Sequence, residues 1–402
     1  MTQQTQTKQL PKGWKKEPLK EVLETLESGG RPKGGAQKEG IPSIGGEHLN
    51  YNGMFNFEKM KFIPKSYFNL MTKGIIKKED VLIVKDGATT GKTSFVDNNF
   101  PYEKSAVNEH VFIARANKKI FPKYLFYFLY SIEGQDQLKK AITGSAQGGI
   151  NLSILDKIYI KYPQSSQTQS LIVSAIETHF SRLDNAIKNL KSVKEKIQLY
   201  RKAVLKKAFE NRGTKKEIKE LFEITKGKKV KIIKEKTKNS VPYLLIDTLR
   251  GKEPEFFTED KNYTEAIPED ILMVFDGANS GLVGTGLRGA VGSTIGRLRP
   301  KEEVNKNYLC YFLKLNFQIL NKDIKGSAIP HVKPTKLRSL KISLPQLSEQ
   351  QQIVQEIESK FSVIDKVEEA VDNSLKKAEM LKKAILKAAF EGRLVKESEV
   401  GE

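Results

Sequence analysis

This 402-residue chain is one unit written twice, and no other feature limits its possible folds as strongly. Glu79-Asp80-Val81-Leu82-Ile83-Val84-Lys85-Asp86-Gly87-Ala88-Thr89-Thr90-Gly91 recurs as Glu269-Asp270-Ile271-Leu272-Met273-Val274-Phe275-Asp276-Gly277-Ala278-Asn279-Ser280-Gly281. Further along, Tyr124 to Leu129 matches Tyr308 to Leu313, Gly144-Ser145-Ala146 matches Gly326-Ser327-Ala328, and Pro163-Gln164 matches Pro345-Gln346. Ile172 to Arg212 then aligns with Ile353 to Arg393 without a gap and with 16 of 41 positions identical, so this last part is the most alike. The blocks keep their order, which predicts domain, long helix, domain, long helix.

The two helices are marked at both ends. Ser166 with Gln169, and Ser348 with Gln351, have the spacing of a capping box, and Pro163 and Pro345 stand just upstream, where a missing N–H does no harm. Gly213 and Gly392 follow the last apolar residues, where a left-handed cap is expected. In the first helix Ile176, Phe180, Leu183, Ile187, Leu190, Val193, Ile197, Tyr200 and Val204 recur at steps of three and four. Ile357, Phe361, Ile364, Val367, Val371, Leu375, Ala378, Leu381 and Ile385 do so in the second. About 45 residues of helix reach about 65 Å, and a narrow stripe of that length needs another helix to bury it. The economical partner is the other copy, running antiparallel, with Ile176, Phe180, Leu183, Ile187 and Leu190 meeting Ile357, Phe361, Ile364, Val371 and Leu375 in a seam.

Apolar runs at Val81 to Val84, Glu109 to Ala114, Ile158 to Ile160, Ile271 to Val274 and Leu340 to Leu344 read as short strands punctuated by Gly and Pro. Tyr124 to Leu129 and Tyr308 to Leu313 read as buried helices. The expected fold class is α+β: strand-rich domains at 1–165 and 213–346, separated by long helices at 166–212 and 347–395 that pair as an antiparallel coiled coil with internal pseudo-two-fold repetition, and a tail at 396–402.

Composition narrows the function. The chain carries 69 Lys and Arg against 48 Asp and Glu, a net charge of +21, which suits a polyanionic partner. The positive charges are spread along the chain rather than massed beside one amphipathic anchor, so nucleic acid fits better than a membrane surface. Tyr124 to Tyr130 is too short to span a bilayer and Met1 to Lys8 has no signal-peptide core, so no membrane partner and a cytoplasmic location are expected. A single cysteine, Cys310, excludes a disulfide framework and any cysteine-based zinc site.

The sequence offers no chemistry of its own. Gly87-Ala88-Thr89-Thr90-Gly91-Lys92-Thr93 looks like a phosphate-binding loop but has three residues between its glycines where that loop has four. The second copy follows Gly281 with Leu282 and Val283, which lack the lysine and hydroxyl that phosphate and magnesium require. His48, His110, His179 and His331 show no ligand spacing, so no metal site is expected. Asp86 and Asp276 stand at matched strand ends and read as turn formers rather than catalytic acids.

Taken together, these residues resemble the specificity subunits of type I restriction-modification systems, over nearly the whole chain. Leu10-Pro11-Lys12-Gly13-Trp14 is similar to the family's opening, and the paired Asp-Val/Ile-Leu strand followed by Gly-Ala-x-x-Gly is similar to its internal signature. Leu344-Pro345-Gln346-Leu347-Ser348-Glu349-Gln350 resembles its entry into a long helix, and Phe390-Glu391-Gly392-Arg393-Leu394 its exit. The first copy departs slightly, with Gln167 in place of Glu349 and one extra residue before Ile172.

The resemblance implies two target recognition domains, each reading half of a split, asymmetric sequence in double-stranded DNA. It implies helices that set the spacer and dock two modification subunits, and restriction subunits elsewhere in the complex. The chain itself is then non-catalytic and binds no cofactor, with S-adenosylmethionine, ATP and magnesium held by the partners. Basic and polar residues beside glycines are the expected DNA contacts: Arg31, Lys33, Lys92, Thr93, Ser145 and Gln147 in the first domain, and Lys228, Lys229, Lys231, Asn279, Ser280, Arg288, Ser327, His331 and Lys333 in the second. The alternative is the recognition part of a self-contained restriction enzyme or methyltransferase. Two domains and two helices already occupy nearly the whole chain, which argues against it.

Overall fold

The structure, a computed structural model, describes residues 10–143, 148–210, 212–277, 279–316 and 331–395. The chain divides into two compact units, Met1–Asn189 with Ser374–Glu402, and Leu190–Asn373. This grouping cuts both long helices, Ser166–Ala208 and Leu347–Phe390, so each unit holds one strand-rich domain and a half of each helix. Packing is the reason. Ile172, Val173 and Ile176 share the first unit's core with Ile385, Leu386, Ala389 and Phe390, whereas Leu205 and Ala208 share the second unit's core with Ile353, Val354 and Ile357.

Within the first unit a four-stranded antiparallel sheet runs in the order Leu23–Ser28, Val111–Ala116, Val81–Val84, Thr93–Phe95. A smaller sheet places Ile41–Ile44 between Lys61–Ile63, antiparallel, and Ala106–Val107, parallel. The second unit has the same plan. Its four-stranded sheet runs Phe222–Lys226, Ile295–Pro300, Ile271–Val274, Val283–Thr285, and its smaller sheet places Val241–Leu244 beside Gly289–Val291 in parallel. A two-stranded ribbon closes each domain, Trp14–Pro18 with Tyr159–Pro163 and Thr214–Glu217 with Lys341–Leu344. Val81 to Val84 and Ile271 to Val274 are buried at every position, which is why they read as unbroken apolar runs rather than alternations. The short helices Pro122–Tyr130 and Lys306–Leu315 bury Tyr124 and Tyr308, whose hydroxyls donate to the Lys161 and Ser343 carbonyls at 2.9 and 2.7 Å.

The helix starts differ from the capping boxes expected. Ser165, one residue earlier than Ser166, accepts from the Thr168 N–H at 3.2 Å. Ser348 lies inside the first turn of a helix that begins at Leu347. Gln169 and its counterpart Gln350, rather than Gln351, act as buried brackets. Gln169 donates to the Pro163 carbonyl and accepts from the Phe121 N–H, and Gln350 donates to the Pro345 carbonyl and accepts from the Asn305 N–H. Each glutamine thereby ties the start of a long helix to the start of the short helix before it. Gly392 takes φ +69° at the end of the second helix, with the Arg393 N–H returning to the Ala388 carbonyl at 2.8 Å. Gly213 is left-handed too, but it stands at the entry to Thr214–Glu217, where a Cβ would lie 2.6 Å from the Leu344 carbonyl oxygen, and does not cap the helix ending at Ala208.

In each unit the helix halves run antiparallel. Of the seam residues, Ile176, Ile357, Ile364 and Val371 are buried, and Phe180, Leu183, Ile187, Leu190, Phe361 and Leu375 half-buried. Val193, Tyr200, Val367 and Leu381 are exposed, contrary to the stripe the sequence suggested. Arg201 replaces Tyr200 in the seam, lying over the Phe361 ring at 5.1 Å and pairing with Asp365 and Glu368. Its counterpart in the other unit, Lys382, lies over Phe180 at 5.3 Å and pairs with Asp184. Long cationic side chains cover the apolar seam with their stems while their heads reach acids near water. Among the described residues no helix is long and apolar enough to cross a membrane.

Candidate nucleic-acid interface

The duplicated signature builds the same frame in both units. Gly87 and Gly91 at φ +85° and +90°, and Gly277 and Gly281 at +101° and +90°, close a tight hairpin that only glycine enters without strain. The Gly91 N–H donates to the Val84 carbonyl at 2.8 Å, and the Gly281 N–H to the Val274 carbonyl at 2.6 Å. Strand Thr93–Phe95 follows the first turn, so no helix N-terminus is present to hold a nucleotide's phosphates.

Around the first turn, His110 Nδ1 lies 2.6 Å from Asp86 Oδ1, and His110 Nε2 lies 3.5 Å from Glu109. Arg31 approaches Glu109 at 3.8 Å, and Lys61 pairs with Glu47. Lys92 Nζ stands 4.6 Å from the centre of the Tyr51 ring. A cleft of about 150 Å³ opens among Arg31, Lys61, Asn108, Glu109 and His110.

Around the second turn, Asp276 faces Lys226 Nζ at 2.8 Å and His331 Nδ1 at 3.2 Å. The two histidines occupy different places in the repeat, yet both reach the matched aspartate. Arg250 donates to the Asn279 side-chain oxygen Oδ1 and lies 3.7 Å from Asp247, at the edge of a cleft of about 460 Å³ also lined by Lys252, Glu253 and Glu255. The loop 227–240 carries Lys228, Lys229, Lys231, Lys234, Lys236 and Lys238, all exposed. It is pinned where Lys228 donates to Asn262 and the Lys231 N–H donates to Asp260 at 2.7 Å. The matching loop 29–40 carries only Arg31, Lys33 and Lys38.

Of the residues expected to touch DNA, Arg31, Lys33, Lys228, Lys229, Lys231, Arg288, His331 and Lys333 are exposed, and Lys92 and Asn279 half-exposed. The structure brings Lys92 to one turn and Asn279 and His331 to the other, whereas Arg288 lies on the separate link between Val283–Thr285 and Gly289–Val291. Two assignments are corrected. Thr93 is buried in its strand with its hydroxyl donating to the Gly91 carbonyl at 3.0 Å, and Ser280 is buried within the turn, so neither side chain is open to solvent. Ser145, Gln147 and Ser327 lie outside the described residues. Tyr51, His110, Lys226 and Arg250 also stand beside the turns, and sequence reasoning did not place them there because each comes from a distant part of the chain. The lysines at 234, 236 and 238 were legible as a continuation of the run at 228–231. Burial pushes the Cys310 thiol up to about 11, so it stays protonated and unreactive.

The duplicated chain thus places unlike polar side chains on one common frame, the build of a paired binding protein rather than of a single active site. Comparison with known proteins identifies the kind. The model of the type I restriction modification DNA specificity domain matches residues 11–196 and again 213–377, and the chain belongs to this family of non-catalytic specificity subunits. It is 35% identical over 182 residues to the MjaVIII specificity subunit of Methanocaldococcus jannaschii, a match covering 44% of this chain and 43% of that protein. It is 22% identical to the StySPI specificity subunit of Salmonella potsdam and 21% identical to the EcoKI specificity subunit of Escherichia coli, each match covering 96% of this chain and 90% of the relative. Among solved structures, a chain from work on complex assembly and conformational transition of a type I R-M system superposes with a TM-score of 0.80 at 19% identity, covering 96% of this chain and 99% of its own. The HsdS subunit of Thermoanaerobacter tengcongensis superposes at 0.61, with the same identity and coverage. At that identity the likeness speaks for the fold.

Proposed function

We propose that each unit reads one half of a bipartite, asymmetric DNA target, while the long helices set the spacer and dock two modification subunits. Catalysis belongs to those partners. S-adenosylmethionine sits in the modification subunits, ATP and magnesium in restriction subunits, and the complex works in the cytoplasm. The observation that carries the reading is the repeated turn: backbone and hydrogen bonds match between units, and the side chains presented on it do not. A shared frame with unlike side chains suits two domains reading different bases, and the lysine-rich loop supplies sequence-independent attraction to phosphate.

The docking surface is supported by a second matched feature. Leu199 and Tyr200 are exposed on the first helix, and their counterparts Met380 and Leu381 are exposed on the second. Two similar apolar pairs suit two copies of one partner. The whole proposal is tested by a chimera in which residues 213–341 are replaced with the matching segment of a related subunit and both long helices are kept. Sequencing of methylated sites should show one half-site changed and the other half and the spacer constant; a change in both halves would contradict it.

A further inference from the structure

The two turns differ at the places where recognition needs difference. In the first unit the turn Gly45–His48 precedes Tyr51, and the Gly45 N–H donates to His48 Nδ1 at 2.8 Å. In the second the helix Ile246–Leu249 precedes Arg250, and the Leu245 N–H donates to Thr248 Oγ1 at 3.0 Å. The same three-residue loop-back thus delivers a residue onto the glycine hairpin in both units. In the first it brings Tyr51 to Lys92; in the second it brings Arg250 to Asn279. The loop-backs correspond, but the contacts do not stand at matched positions, since Asn279 aligns with Thr89 and Lys92 with Leu282, and they share no chemistry.

We infer that these four side chains read base edges: Arg250 and Asn279 in the half-site of the second unit, Tyr51 and Lys92 in that of the first. The inference rests on the half-site reading above and assigns residues to it. None of the four is a core residue, and Tyr51 is 72% exposed, so its ring is open to a ligand. Arg and Asn are the side chains whose paired donors and acceptors match guanine and adenine in the major groove, and Lys reaches the guanine acceptors singly. An aromatic ring offers an apolar face to a thymine methyl or a base. In the free protein the Asn279 oxygen and Asp247 hold the Arg250 guanidinium, so less side-chain freedom is lost on binding.

A phosphate contact is the competing role for Arg250, and its surroundings oppose it. Asp247, Glu253 and Glu255 line the same cleft and would repel a phosphate, whereas carboxylates are compatible with a base edge and accept from the cytosine amino group. The half-site of the second unit should therefore contain a G·C pair under Arg250 with an A·T pair near it under Asn279.

The test uses the complete complex of this chain with its modification subunits. Its target is first read by methylation sequencing, and binding is then measured on duplexes carrying every single base-pair change in both halves. Arg250→Ala should lose tenfold or more of the discrimination at one G·C pair, Asn279→Ala that at a nearby A·T pair, and both should leave the other half unchanged. Tyr51→Ala and Lys92→Ala should do the same in the opposite half. Arg250→Lys keeps the charge and the surface, so it should relax discrimination while the salt dependence of binding stays as in the wild type. Variants that discriminate like the wild type, or weaken every duplex equally, overturn the assignment. A wild-type complex that shows no preference among duplexes instead overturns the half-site reading beneath it.

Discussion

Asp80 and Asp270 sit at matched places in the repeat, fully buried, and each grips an arginine through both carboxylate oxygens. Arg115 donates to Asp80 at 2.8 and 2.8 Å, and Arg299 to Asp270 at 2.8 and 2.8 Å. Each aspartate also accepts a backbone N–H three residues upstream, from Lys77 and Ile267. Removing the aspartate charge leaves the arginine, 17% exposed in the first pair and 33% in the second, without its ionic partner. Asp80→Asn should destabilise the first unit by about 1 to 3 kcal/mol, read as an earlier urea transition, and Asp270→Asn should do so in the second by less, because Arg299 is the more exposed arginine. An unshifted transition would show that the pair contributes no net stability. The aspartates were visible as repeated residues, but their partners were not. Arg115 is 35 positions from Asp80, and only the pairing of Val81–Val84 with Val111–Ala116 brings them together.

The long helices show how far periodicity reaches at the level of elements. Spacing predicted two helices of about the observed 43 and 44 residues, but counted Tyr200 and Leu381 in the apolar stripe, whereas they are exposed and Arg201 and Lys382 lie over the seam rings. A three-four pattern counts apolar residues and takes no account of a cationic stem lying across a phenyl ring. The displaced apolar residues are the proposed docks. Leu199→Asp combined with Met380→Asp should abolish binding of both modification subunits in size-exclusion chromatography while the circular dichroism spectrum stays unchanged; retention of both subunits would move the docks elsewhere. The loop 227–240 yields a second prediction at this scale. Replacing Lys229, Lys234, Lys236 and Lys238 with Gln should flatten the plot of log affinity against log salt by about 0.9 for each phosphate that is no longer neutralised, with base preference unchanged. Equal replacement of Arg31, Lys33 and Lys38 should flatten it less, and an unchanged slope would show that the lysine loop does not meet the backbone of DNA.

At the scale of the whole molecule the proposal is a spacing rule. Lys194 pairs with Asp372 within the second unit, so insertion sites beside Val193 and beside Asn373 each adjoin a paired residue. A heptad inserted at both places keeps the seam in register. Such a double insertion adds about 10 Å of helix, about three base-pair steps of 3.4 Å. The methylated target should keep both half-sites and gain about three base pairs between them. A spacer that ignores the insertion would refute helices as the ruler.

By itself the sequence determined the duplication, the α+β class, the long helices and the positive charge that suits a polyanion. Each of these is written in order, period or composition, and none depends on which distant residues meet. The tertiary structure alone decided what stands around the glycine turns. Tyr51 and Lys92, Arg250 and Asn279, and the histidines that reach Asp86 and Asp276 all come from separate loops. Their meeting is set by strand register, and register is a property of packed sheets that no local pattern records.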